Sequence, residues 1–326
     1  MGLRKEVLLA FLVVFCLSSR EIEGQIVIRI RIGFYFGTCP QAELIVRDEV
    51  RKAIANNAGV APGLIRMHFH DCFVRGCDGS VLIDSTASNS AEKDSPINTS
   101  LFGFEVIDRA KARLEAACPG VVSCADILAF AARDSVALTG GFSYQVPSGR
   151  RDGRVSLASE TFGNLPPPSF NLDQLTQSFA AKGLSQDEMI TLSGAHTVGV
   201  SQCNSFSSRL YSFNSTVSQD PSLDPTYAIQ LKQQCPQNSN GVVPMDPRSP
   251  TTFDSSYYSS ILVNRGLFTS DHTLASTAAT AAKVRENASN EARWKSKFAA
   301  AMVKMGQIGM LTGSNGEIRS NCRVIN

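Results

Sequence analysis

The chain lacks most of the residue patterns that announce a simple function. Its 326 residues hold four histidines and one tryptophan, with no C-x-x-C pair, no H-E-x-x-H, no G-x-S-x-G and no glycine-rich phosphate loop. A cysteine-type zinc site, a zincin, a serine hydrolase and a phosphate-cradling nucleotide site therefore lose their usual signatures. Only 18% of residues are charged and the formal net charge is +2. With no block of like charge, nothing provides the electrostatic footprint of a nucleic-acid binder. No apolar run is long enough to cross a bilayer, because the clearest, Val7 to Leu17, is a little over half of what a spanning helix needs. What remains is an ordinary globular composition, 43% hydrophobic, ample for a full core.

Arg4 and Lys5 before that apolar run suit a secretory signal, expected to occupy residues 1–24 and leave residues 25–326 as one mature domain. The alternating, basic Val27 to Ile32 stretch leaves the cut site open. Of the nine cysteines, Cys16 lies in the signal, which leaves eight: Cys39, Cys72, Cys77, Cys118, Cys124, Cys203, Cys235 and Cys322. An even set behind a signal implies four disulfides in an oxidising compartment, although eight cysteines alone allow on the order of a hundred pairings. No membrane association is expected once the signal is gone.

Apolar residues recur mostly with helical period. Ile45, Val46, Val50 and Ile54 mark one helix, and Phe104, Ile107, Ala110 and Leu114 another. Ala125 to Leu138 is apolar nearly all round and stops at Gly140-Gly141, as a buried central helix would. Ser185-x-x-Glu188 is a capping box, and Ser289 to Met305 reads as a last amphipathic helix. Strand patterns are few and short. The expected fold class is all-α.

The densest chemistry is in Leu64-Ile-Arg-Met-His-Phe-His-Asp-Cys-Phe-Val-Arg-Gly-Cys-Asp-Gly-Ser80. On a helix Arg66, Phe69, His70 and Phe73 share a face, with neighbouring Cβ atoms about 5–6 Å apart. His68 points elsewhere. An imidazole that titrates near neutrality beside a permanent cation can move a proton and steady the negative charge left behind. A lone pair of this kind is more often a core histidine beside a surface arginine. Here the whole stretch resembles the distal motif of the secreted plant (class III) haem peroxidases, and similar segments recur from Phe34 to Asn326.

The resemblance implies a haem peroxidase fold and one haem b. His70 would be the acid/base, Arg66 its cationic partner, Asn98 the acceptor that orients His70, and Phe69 the ring shielding the iron. Leu192-Ser-Gly-Ala-His-Thr-Val-Gly199 would supply His196 as axial ligand, with Asp271 accepting its other ring N–H. Asp271 alone would read as a helix cap. The Asn164 to Pro168 loop would lie at the haem edge, with the Pro166 carbonyl receiving aromatic donors. Two calcium ions are implied, one held by Asp71, Val74, Gly76, Asp78 and Ser80 with Glu92 through water, the other by Thr197, Asp246, Ser249, Thr252 and Asp254. These oxygen-rich sets suit a hard cation. The family pairing joins Cys39 to Cys118, Cys72 to Cys77, Cys124 to Cys322 and Cys203 to Cys235.

The implied activity is reduction of hydrogen peroxide with one-electron oxidation of phenolic-type donors, by an expected monomer exported to the extracellular space or cell wall. Sequons at Asn98, Asn214 and Asn287 would mark exposed glycan sites, except that Asn98 is better used beside His70. Two alternatives compete. A secreted haem-binding protein with little turnover has no use for the Arg66–Phe69–His70 face, and peroxide turnover separates it. A secreted metal hydrolase could use His68 and His70, and a haem absorption band would dismiss it.

Overall fold

The computed structural model describes residues 30–326; the expected signal and its cut site lie outside the described residues. The described chain is helical, with twelve α-helices and one two-stranded sheet. In order the elements are α1 (Ala42–Asn56), α2 (Val60–Val74), α3 (Phe104–Ala117), α4 (Cys124–Leu138), α5 (Leu172–Ala181) and α6 (Gln186–Ser193). There follow β1 (Val200–Gln202), α7 (Ser207–Tyr211), α8 (Pro225–Gln234), β2 (Val242–Pro244), α9 (Ser256–Leu262), α10 (Thr269–His272), α11 (Ala278–Ser289) and α12 (Glu291–Met305). The strands pair antiparallel with Ser201 opposite Val243. Among the described residues no helix is long and apolar enough to cross a membrane.

The central helix is α4. Ser123 caps it by accepting from Asp126 N at 3.1 Å, and Cys124 to Val136 are all buried. Because it is apolar on every side, it can carry α1 and α3 on one flank and α2 on another. One core cluster joins Val46 and Val50 of α1, Ile107 and Leu114 of α3, and Ile127 and Phe130 of α4. A second joins Phe73, Ala132, Val136, Leu175, Phe179, Trp294 and Phe298. Helix α2 serves both, sending Leu64 and Met67 to the first and Ile65, Phe73 and Val74 to the second. Burying one such side chain is worth about 1.5–3 kcal/mol, so α2 is fixed along its length.

The last turn of α2 ends at Arg75 and Gly76, whose φ of +110° is left-handed. A Cβ at Gly76 would lie 2.6 Å from the Gly309 carbonyl oxygen, so this close passage of the C-terminal segment requires glycine. The four disulfides join Cys39 to Cys118, Cys72 to Cys77, Cys124 to Cys322 and Cys203 to Cys235, as the family pairing implied. One expected boundary moves. The last amphipathic helix is present but starts at Glu291, because Ser289 ends α11 and the Asn290 side chain caps α12 by accepting from Arg293 N at 3.0 Å.

Asn287 is also corrected. It is 1% exposed inside α11, so the folded chain has no room for a sugar there, whereas Asn214 lies in an exposed turn.

Candidate active site

Helix α2 presents His70 buried and Arg66 and Phe69 half-buried. The His70 tautomer follows from its partner. Asn98 Nδ2 donates to the Glu92 carbonyl at 2.9 Å, so Asn98 Oδ1 is the atom 2.6 Å from His70 Nδ1. An amide oxygen only accepts, so Nδ1 carries the proton and Nε2 keeps its lone pair. Burial first, and the Arg66 charge second, hold His70 well below the ordinary imidazole range. It is therefore a neutral base at physiological pH.

Arg66 is oriented from the other side, donating to Ser100 Oγ at 2.9 Å and to the Ile97 carbonyl at 3.2 Å. Burial lowers it to about 10, which leaves it charged. Ser100 and Ile97 were not expected from the sequence; their signal is only that they flank Asn98. His68 turns away into a small separate cavity with Tyr144 and Arg150, its ring near Cys72 Sγ at 3.7 Å. Phe69 meets Phe73 at a tilt (4.2 Å between centroids) and stacks with Phe179 at 6.2 Å, forming an aromatic wall.

The second histidine sits in the 3₁₀ turn Gly194–Thr197 that ends α6. Tyr258 Oη donates to the Ile190 and Thr191 carbonyls, and Trp294 Nε1 donates to the Thr191 carbonyl at 3.2 Å. These bonds pin the end of α6 to the buried Trp294–Phe253 stack. Asp271 Oδ1 accepts from His196 Nδ1 at 2.7 Å and from Tyr257 Oη at 2.7 Å, while Oδ2 accepts from Phe268 N at 3.0 Å. Asp271 thus caps α10 and holds His196 at once; the two sequence readings were not exclusive. Burial pushes Asp271 up, but the His196 charge and these hydrogen bonds outweigh it and hold it below the ordinary carboxylate range. The His196 side chain is 39% exposed while Asp271 behind it is 2%. Its Nδ1 is the ring atom turned to Asp271, which leaves Nε2 on the other side of the ring.

The Asn164–Pro168 loop joins the two halves. Leu165 is buried in the same core cluster as Phe73, and the Pro168 carbonyl accepts from Ser270 N, beside Asp271, at 3.0 Å. Pro166, between these two anchored residues, is half-buried.

Two oxygen clusters flank these histidines. In the first, Asp71, Asp78, Ser80 and Glu92 are all buried, and Ser80 Oγ and both Glu92 carboxylate oxygens have no hydrogen-bond partner. Burial, then the charges of Asp78 and Glu92, raises Asp71 well above its ordinary range, and burial pushes Glu92 up to about 8. Arg75 is engaged by Glu160 at 2.6 Å and Arg319 lies against Asp152. Three buried acids, with the Glu92 carboxylate and the Ser80 hydroxyl left unpartnered, are a donor set that fits a hard cation. A Cβ at Gly153 would lie 2.2 Å from Asp78 Oδ2, so only glycine lets that loop close over the cluster. Val74 is the last residue of α2 and Gly76 follows two residues on.

In the second cluster, Thr197 Oγ1 donates to Asp254 Oδ1 at 3.2 Å, and Ser256 Oγ lies within hydrogen-bond reach of both Asp246 and Asp254, with one proton to give. Ser249 Oγ meets Ser256 Oγ at 2.6 Å, and Thr252 is joined through its N–H to the Ser249 carbonyl at 3.0 Å. Ser256 was missed by the sequence reading. The D-x-S spacing of Asp254 and Ser256, two oxygen donors two residues apart, was the available signal.

A sequence profile described as peroxidase matches residues 46–290. The chain belongs to the plant haem peroxidase family. It is 66% identical to Peroxidase 5 of Vitis vinifera over 322 residues, covering 98% of this chain and 97% of that one. Peroxidase 1 of Zea mays is 52% identical over 91% of this chain and 83% of its own, and Peroxidase 3 of Arabidopsis thaliana 49% over 94% of each. The donor set fits haem: an imidazole whose Nδ1–H is held by a buried carboxylate is the kind of ligand iron takes.

Proposed function

We propose that this peroxidase reduces hydrogen peroxide to water at one haem b held by His196, with Phe69 on the opposite wall, while two small aromatic donors each give up one electron. The observation that supports it is the pair of imidazoles. Each has its Nδ1–H fixed by an acceptor and its Nε2 free, one beside Arg66 and the other backed by Asp271. Haem, when bound, supplies the redox-active iron that takes up the oxidising equivalents of the peroxide.

The chain's own residues handle protons and charge. His70 Nε2 takes a proton from hydrogen peroxide and returns it to the departing oxygen as water forms. The Arg66 guanidinium stabilises negative charge developing on that oxygen, an effect strengthened in a water-poor pocket. Asn98 keeps the accepting nitrogen free. Asp271 holds His196 in the ligating tautomer and raises its basicity. Pro166 receives the aromatic donor at the open edge of the site.

The two oxygen clusters hold two calcium ions, the first through Asp71, Val74, Gly76, Asp78 and Ser80 with Glu92 behind, the second through Thr197, Asp246, Ser249, Thr252 and Asp254. Calcium beside both histidines ties site geometry to the ion. The protein works as a secreted monomer in the extracellular space or cell wall. The alternative of a haem-binding protein with little turnover is not favoured, because it leaves Arg66, His70 and Asn98 without work. Purified protein reconstituted with haem should show a haem absorption band and turn over hydrogen peroxide with a phenolic donor. A bound haem with no peroxide turnover would overturn the proposal.

A further inference from the structure

Lys182 follows α5 and reaches back to the proline loop. Its Nζ donates to Asn164 Oδ1 at 2.7 Å, and Asn164 Nδ2 donates to the Glu160 carbonyl at 2.8 Å. Asn164 is two residues from Pro166, and Phe162, two residues before it, leaves 58% of its surface exposed. The lysine is partly buried, yet its acceptor is a neutral amide and it joins no ion pair among the described residues. Glu160, the acid nearest along the loop, is engaged by Arg75 at 2.6 Å.

Partial burial pushes the Lys182 ammonium down, and no carboxylate offsets that. The shift starts from a value far above neutrality, so the charge persists. A neutral glutamine could staple Asn164 at lower desolvation cost. A cation kept without a counter-ion at the edge of a site is instead the arrangement that selects an anionic ligand.

We propose that Lys182 determines donor specificity, favouring aromatic donors that carry a carboxylate over their neutral counterparts. The inference rests on the donor role given to Pro166 above. The loop that the ammonium holds at Asn164 also carries the exposed Phe162, so an apolar side chain and a positive charge belong to the same segment, as an aromatic acid would need. Lys182 is a specificity residue here, touching donor but taking no part in peroxide cleavage.

The test uses the haem-loaded protein with two donors that share a phenol ring, 3-(4-hydroxyphenyl)propionate and 3-(4-hydroxyphenyl)propionamide. Replacing Lys182 by Met should raise KM for the propionate about three- to tenfold and leave the amide within about twofold, the scale of one partly screened charge. Lys182→Arg should keep the wild-type ratio, and high salt should shrink that ratio in the wild type. Rates of peroxide consumption at saturating amide should not change. If both donors weaken equally and Asn164→Ala reproduces the loss, Lys182 is only a staple and the proposal fails. It fails equally if neither donor responds. No turnover of either donor by wild-type holoenzyme would instead overturn the function proposed above.

Discussion

The two histidines share a tautomer and differ in everything that surrounds it. His70 is buried, and its Nδ1–H meets the neutral oxygen of Asn98 at 2.6 Å, with Arg66 close enough to hold it deprotonated. His196 is 39% exposed, and its Nδ1–H meets the Asp271 carboxylate at 2.7 Å. An amide acceptor orients a ring without feeding it charge. A carboxylate orients it and gives it partial anionic character. The same hydrogen bond at nearly the same length therefore makes a weakly basic proton acceptor in one place and a strong electron donor in the other. The residue behind the ring, more than the ring itself, sets its task.

Removing the first imidazole should have the largest consequence. His70→Ala should bind haem normally, since nothing makes it a ligand, yet react with hydrogen peroxide at least about a hundredfold more slowly, within the usual range for a lost acid/base. His196→Ala should do the reverse and lose haem. Stopped-flow mixing with peroxide and the haem spectrum distinguish them. A His70→Ala rate within a few-fold of wild type would dispose of the asymmetry.

Calcium removal comes next. Glu92 lies near 8 in the folded, calcium-free chain against an ordinary 4.5, and Asp71 and Asp78 are raised with it, burial being the leading cause. A folded-state pKa above the unfolded one means that the fold holds protons the unfolded chain releases. These groups should therefore cost the calcium-free protein on the order of a few kcal/mol as pH rises from about 4.5 to about 8. Bound calcium should abolish the trend, because it favours the ionised carboxylates. Melting curves with and without chelator across that window test this, and identical curves at every pH would refute it. Elemental analysis should find calcium in active protein.

The helices and the disulfide-rich, all-α class were legible because their cause is local. The period of α1 and α3, the Ser185–Glu188 cap and the apolar α4 each sit in contiguous sequence. His70, Arg66 and His196 were legible through motif resemblance, which carries long-range geometry that no spacing holds. What stayed hidden joins residues distant in sequence without any pattern. Tyr257 on Asp271, Ser100 on Arg66 and Trp294 on the end of α6 are of this kind. The glycan reading at Asn287 failed for a related reason, since a three-residue sequon says nothing about which face of α11 is buried.

Exchanging the acceptors sharpens the contrast. Asn98→Asp gives His70 the kind of partner His196 has, which stabilises the imidazolium. The His70 pKa should rise by about 1–3 units, the scale for an opposite charge in contact. Wild type should keep its peroxide reaction down to well below pH 6.5, because His70 is depressed from that value. In the variant the acid limb should move up, since a protonated His70 cannot accept. An unmoved limb would mean that the amide was not setting the basicity.

The converse exchange, Asp271→Asn, carries the smallest and most informative change. The introduced amide cannot satisfy all three donors, because its nitrogen would face either Phe268 N or both His196 Nδ1 and Tyr257 Oη. Some stability is lost on either reading, about 1–3 kcal/mol for one unsatisfied buried group, so stability alone decides nothing. The ferric/ferrous midpoint potential does decide. A carboxylate behind His196 strengthens donation and favours the ferric state, so its loss should move the potential upward. A mere cap predicts an unchanged potential. Tyr257→Phe should shift it the opposite way and by less, because Asp271 Oδ1 then has His196 as its sole side-chain donor and leans on it harder. Two shifts of opposite sign would tie the electron donation of His196 to the charge on Asp271 Oδ1, and two shifts of the same sign would leave only lost packing to explain them.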